Sequence, residues 1–146
     1  MIPTFGRRLY YKIRKMLFTR ERPKGPFLAV DADKDKIVRE FGQMFYGPNW
    51  ALSYNFRGEI VNLARINYHY DPKTDIDWWQ VHVRGWTGED GLIYLRGHYE
   101  AEPTEYPSQH LDGTGYNLEH GMMILEKTLE ASDITVKKRV SEMKEL

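Results

Sequence analysis

Hydrophobic residues recur in three different rhythms along the chain. Near the start, Phe5, Leu9, Ile13, Met16 and Leu17 stand three or four positions apart, which places them on one face of a predicted helix. Arg7, Arg8, Arg14 and Lys15 lie mostly away from that stripe, so the helix is basic and amphipathic. Pro23, Gly25 and Pro26 end the pattern, and residues 20–26 read as a linker. The spacing therefore predicts a basic arm and linker over residues 1–25 and a single domain over residues 26–146.

A short strand, PFLAV, precedes a second helix. Asp33 is its predicted N-cap, and Ile37, Phe41, Met44 and Phe45 form its apolar stripe up to Gly47-Pro48. The phrase DADKDK lacks the glycine and the closing glutamate of a calcium loop, which excludes that reading. From Ala51 to Ala101 the rhythm becomes alternating. ALSYNF, EIVNLARINYHY, WWQVHVRGW and LIYLRGHYEA read as four strands, separated by breaks too short for parallel crossovers. EPTEYPSQHLDGTG follows as a loop. A third helix starts at Asn117, with Leu118, Met122, Leu125 and Leu129 facing the core, and the tail after it is strand or charged helix. The class is α+β: an antiparallel meander of four or more strands, helices packed on one face, and the basic amphipathic N-terminal helix in front.

Composition narrows the field. Four Trp, ten Tyr and six Phe in 146 residues exclude a disordered chain, and the absence of Cys excludes a disulfide scaffold or a thiolate metal site. Nothing approaches the roughly 18 apolar residues of a membrane span, and no secretory signal is visible, so a cytoplasmic protein is expected, or a virion component if the source is viral. The net charge of zero hides an asymmetry: residues 1–25 hold eight basic groups against the single acid Glu21. A basic arm on an acidic body calls for a partner. That partner is a nucleic acid, a protein (an antitoxin or a second copy of the chain), or an anionic membrane surface met peripherally.

Alternation sorts the strands into faces. Ile60, Ala64, Ile66, Tyr68 and Tyr70 are expected toward the helices, with Trp79, Val81, Val83, Ile93, Leu95 and Tyr99. The opposite, solvent-facing side then collects Arg65, Asn67 and His69; Trp78, Gln80, His82, Arg84 and Trp86; and Tyr94, Arg96, His98 and Glu100. A register opposing Trp86 to Leu92 sets His82 against Arg96, and one opposing Tyr70 to Trp79 sets His69 against Gln80. Such a face is either the wet side of a half-exposed sheet or an anion site. Guanidinium groups of Arg65, Arg84 and Arg96 would grip phosphate, imidazoles of His69 and His82 would exchange protons, and Trp78 and Trp86 would stack on bases.

The stretch RGHYEAEPTEYPSQHLDG adds chemistry near a strand end. His98 and His110 suit an acid–base pair for metal-independent phosphodiester cleavage, with Glu100 beside them and Arg96 steadying the phosphorane charge. The alternatives are a divalent ion on His98, Glu100 and His110, or purely structural residues. The reading taken forward is acid–base, with no cofactor and no metal.

A sheet bearing Arg and His, then the His- and Pro-containing HYEAEPTEYPSQHLDG, then a C-terminal helix resembles the TumE-like toxins of prokaryotic toxin–antitoxin pairs. The resemblance is architectural and covers about residues 55–130. The family's compact run of clustered histidines is missing, because His98 and His110 stand twelve positions apart, and the basic N-terminal helix lies outside that pattern. The resemblance implies a small toxin acting on RNA or nucleotides with a cognate antitoxin. Two other functions stay open: a non-enzymatic interaction or assembly module that docks through its arm, and a small-ligand carrier with a pocket between sheet and helices.

Overall fold

A computed structural model describes residues 19–49 and 55–142, together with Phe5, Gly6, Leu9, Tyr10 and Ile13. The basic residues Arg7, Arg8, Arg14 and Lys15 of the predicted N-terminal helix lie outside the described residues.

The elements in chain order are β1 (Thr19–Arg20), β2 (Phe27–Val30), α1 (Lys34–Gly42), β3 (Gly47–Pro48), β4 (Asn55–Phe56), β5 (Glu59–Asp71), β6 (Ile76–Thr87), β7 (Ile93–Ala101), α2 (Pro107–Asp112), α3 (Leu118–Glu130) and β8 (Val136–Val140). Six strands form one antiparallel sheet in the order β3-β5-β6-β7-β2-β8. The protein is α+β, as expected. Helices α1 and α3 start where the sequence says they should: Asp33 Oδ1 accepts the Lys36 amide at 2.8 Å, and Asn117 Oδ1 accepts the His120 amide at 2.9 Å. Ile37, Phe41, Leu125 and Leu129 are fully buried against Val81, Val83, Leu95 and Tyr99.

Several expectations are corrected. Only three of the four predicted strands form the meander, β5, β6 and β7. The ALSYNF segment supplies β4, which pairs in parallel with β1 in a separate two-stranded ribbon. The loop after β7 contains α2, begun by Pro107 at its first turn. Phe45 leaves the α1 stripe and is 86% exposed, because the helix has ended and the residue sits at φ 71°. The tail is a strand, β8, paired with β2.

From Val61 onward the faces of β5 are the reverse of those predicted, whereas Ile60, at the bulge, packs against the main core as expected. Val61 and Leu63 are buried toward the helices, whereas Ile66, Tyr68 and Tyr70 are exposed. The strand opposes Asn62 to Arg84, Ala64 to His82 and Ile66 to Gln80, with a bulge between Glu59 and Val61. Its apolar pattern changes phase halfway, and Val61 and Leu63 win because they lie in the main core. Arg65, placed by this register on the helix side with Val81, lies over the Tyr46 ring at 5.1 Å. Asn67 donates to the Tyr99 hydroxyl there.

Along β6 and β7 the second face of the sheet is covered rather than solvent-facing. Gln80, His82, Arg84 and Trp86 are all buried. Phe27, Trp86 and Tyr94 make a small second core, joined by Phe56 of β4, whose ring meets Trp86 edge-on. Residues 20–25, within the expected linker, help to cover this face: Arg20 accepts the Arg57 amide through its carbonyl, and the Gly25 carbonyl accepts Arg96 Nε–H.

Candidate functional site

Between this cover and the sheet lies a cleft of about 400 Å³. Strand β6 contributes Gln80, His82 and Arg84, and β7 contributes Arg96, His98 and Glu100. Arg20, Pro23, Asn49, Phe56, Pro103 and Tyr116 form its walls, with His110 and Leu111 of α2. Alternation on each strand sends every second side chain to this face, and the register opposes Gln80 to Glu100, His82 to His98 and Arg84 to Arg96. The predicted β6–β7 register was two residues off, which kept the right faces together while mispairing their members.

Glu100 is the centre. Its Oε1 accepts Gln80 Nε2–H at 2.6 Å and lies 3.3 Å from His82 Nδ1. Its Oε2 lies 2.9 Å from His98 Nε2 and 3.8 Å from His110 Nδ1. Burial opposes the Glu100 charge, but the hydrogen bonds from His82 and His98 outweigh it and hold the carboxyl below the usual carboxylate range. His82 shows the opposite balance: burial dominates the pull of Glu100 and pushes its pKa down to about 3.

Two imidazoles keep one nitrogen for a ligand. His110 Nδ1–H donates to the Ala101 carbonyl at 2.9 Å, which fixes the tautomer and leaves Nε2 without a partner among the described residues. His98 is held through Nε2 on Glu100, and no hydrogen bond occupies its Nδ1 among the described residues. The His98 ring stacks on Tyr116 with centroids 5.1 Å apart, and the backbone beneath it rests on Gly121 of α3.

The cationic wall is also differentiated. Arg84 is ion-paired to Glu59 at 2.5 Å and lies over the Phe56 ring at 4.7 Å. Burial lowers the Arg84 pKa against the pull of Glu59, and burial raises the Glu59 pKa against the pull of Arg84. Arg96 lies opposite Arg84 without a carboxylate of its own among the described residues, its Nε–H spent on the Gly25 carbonyl. Arg20 completes the group at the cleft wall.

The structure thus brings together His82, Arg84, Arg96, His98, Glu100 and His110 of the predicted site. It does not bring in the others. Arg65 turns to the helix side, His69 is exposed near the far end of β5, Trp86 is buried in the second core, and Trp78 packs edge-on against Tyr68. Asn49, Asn62 and Glu59 were missed. Asn62 and Glu59 reach this face only through the bulge and register of β5, which no local pattern announces. Comparison with protein-family models, curated proteins and solved structures finds no match for this chain.

Proposed function

We propose that the cleft binds a phosphate-bearing ligand of nucleotide size, a free nucleotide or an RNA phosphodiester, and transfers protons to it through His98 and His110. The observation that carries this reading is the pair of imidazoles, each with one nitrogen fixed and the other available, beside the guanidinium of Arg96. In RNA cleavage one imidazole takes the proton of the attacking 2′-hydroxyl as the new P–O bond forms. The other protonates the 5′-oxygen as its bond to phosphorus breaks. Arg96 and Arg20 offset the phosphorane charge, and Glu100 steadies His98 while it carries the proton. A volume of about 400 Å³ suits one nucleotide unit rather than a long duplex groove. A toxin-like role with a cognate antitoxin is the biological setting we attach to this chemistry.

The test is cleavage of single-stranded RNA by the purified chain in chelator, alongside His98→Ala, His110→Ala and Arg96→Ala. Each histidine variant should lose about 10²–10⁴-fold in rate with unchanged circular dichroism. A wild-type chain that neither binds nucleotides nor cleaves RNA removes this reading.

One observation favours a second role for the arm. Phe5, Leu9 and Ile13 are 79%, 47% and 45% exposed, a stripe that suits docking on a protein partner. Loss of a higher-mass complex on deleting residues 1–18 would support that role; an unchanged mass would remove it.

A further inference from the structure

We propose that His82, His98 and Glu100 form a binding site for a divalent transition-metal ion of the zinc class on the floor of the cleft. The site goes beyond the acid–base reading and stands on separate observations.

The first is spacing. The ligand atoms of the three residues lie within 4.8 Å of one another, with His98 Nε2 2.9 Å and His82 Nδ1 3.3 Å from the Glu100 oxygens. Ligands held about 2.0–2.2 Å from a tetrahedral zinc stand about 3.3 Å apart. A small closure of this trio is therefore enough to seat an ion. Two imidazoles with one carboxylate is also a donor set that zinc accepts.

The second is the outer contact of His82. Asn62 Oδ1 lies 2.6 Å from Nε2, and Asn49 Nδ2 lies 2.9 Å from the same nitrogen. The two amides hold that end of the ring, while Nδ1 faces the Glu100 carboxylate at 3.3 Å. An ion would take the place of the proton shared between Nδ1 and Glu100, and Nε2–H would then donate to Asn62 Oδ1. A ligating histidine that donates its other N–H to an oxygen is the usual outer-shell arrangement of such sites.

The third is rigidity. His82 and His98 sit opposite each other on adjacent strands, and α3 presses on the His98 backbone through Gly121. His110 is not in this cluster of ligand atoms, so three protein ligands leave a coordination position open toward the cleft. A bound ion takes His98 Nε2, with the ring proton carried on Nδ1, and so withdraws His98 from proton transfer.

The experiment is titration of the full chain with Zn²⁺ by calorimetry and with Co²⁺ by visible absorption. One ion per chain is expected, with Co²⁺ bands typical of nitrogen and oxygen donors. Asn62→Ala, which removes the oxygen that orients His82 without touching a ligand, should weaken binding about 10–100-fold. His98→Gln and Glu100→Gln should abolish the Co²⁺ bands, and His110→Ala should bind like wild type. Thermal melting of each variant identifies any that fails to fold, and the remaining folded variants decide the matter. Absence of uptake by the folded wild type overturns the proposal, as does equal binding by the folded ligand variants. Both outcomes are independent of RNA cleavage in chelator.

Discussion

Gly121 of α3 lies so close to His98 of β7 that a β-carbon at position 121 would stand 2.2 Å from the His98 Cα. The neighbouring contact is reciprocal, since a β-carbon on Gly97 would meet the Gly121 carbonyl oxygen at 2.9 Å. Both obstacles are backbone, which cannot swing aside as a flexible side chain does. Gly121→Ala must therefore push the helix from the strand that carries His98. The expected cost is at least about 1–3 kcal/mol, as for other overpacked sites. Urea unfolding measures it, and an unchanged midpoint would contradict this close approach.

The core itself is tested by a pair of truncations. Leu125 is fully buried between α3 and the sheet, so Leu125→Ala should cost about 2–5 kcal/mol. Ile66 is 41% exposed on the other face, and Ile66→Ala should stay within about 0.5 kcal/mol. Equal losses at the two positions would show that the faces of β5 are assigned wrongly.

That contrast marks how far the sequence could be read. Asp33 and Asn117 announce their helices because a cap is a local hydrogen bond, and β6 and β7 announce their faces because their alternation never breaks. Strand β5 does break phase, at Leu63 and Ala64, and only packing decides which half prevails. The candidate site divides in the same way. His98 and Glu100 are two residues apart on one strand and were legible as neighbours, whereas their burial was not. Cover comes from Pro23, Phe56 and Tyr116, segments far apart in sequence whose meeting is a tertiary event.

The Arg84–Glu59 pair offers a test of that burial. Both side chains are under a tenth exposed, at 8% and 6%. Removing one partner of a buried ion pair leaves the other charge uncompensated, so Glu59→Gln should destabilise by up to about 3–5 kcal/mol. Replacing both, as Arg84→Met with Glu59→Leu, should recover much of that loss. A double-mutant cycle by chemical unfolding measures the coupling, and a value near zero would place the pair in solvent.

Acid sensitivity follows from His82. Its folded pKa is about 3 against the ordinary imidazole value of 6.5, so between those values the unfolded chain binds a proton that the folded chain does not. Stability then rises with pH across that window. The contribution is complete above 6.5 and is lost as pH falls toward 3. Glu100, held below the ordinary carboxylate range, acts in the same direction but only below the usual glutamate value of 4.5. In chelator, the melting temperature should therefore begin to fall near pH 6.5, well before ordinary carboxylates protonate. His82→Gln removes the titrating ring while keeping polar atoms for Asn62 and Glu100, so the slope between pH 6.5 and 4.5 should flatten in that variant. Parallel curves for the variant and the wild type would mean that His82 is hydrated, and the cleft floor would then be open rather than buried.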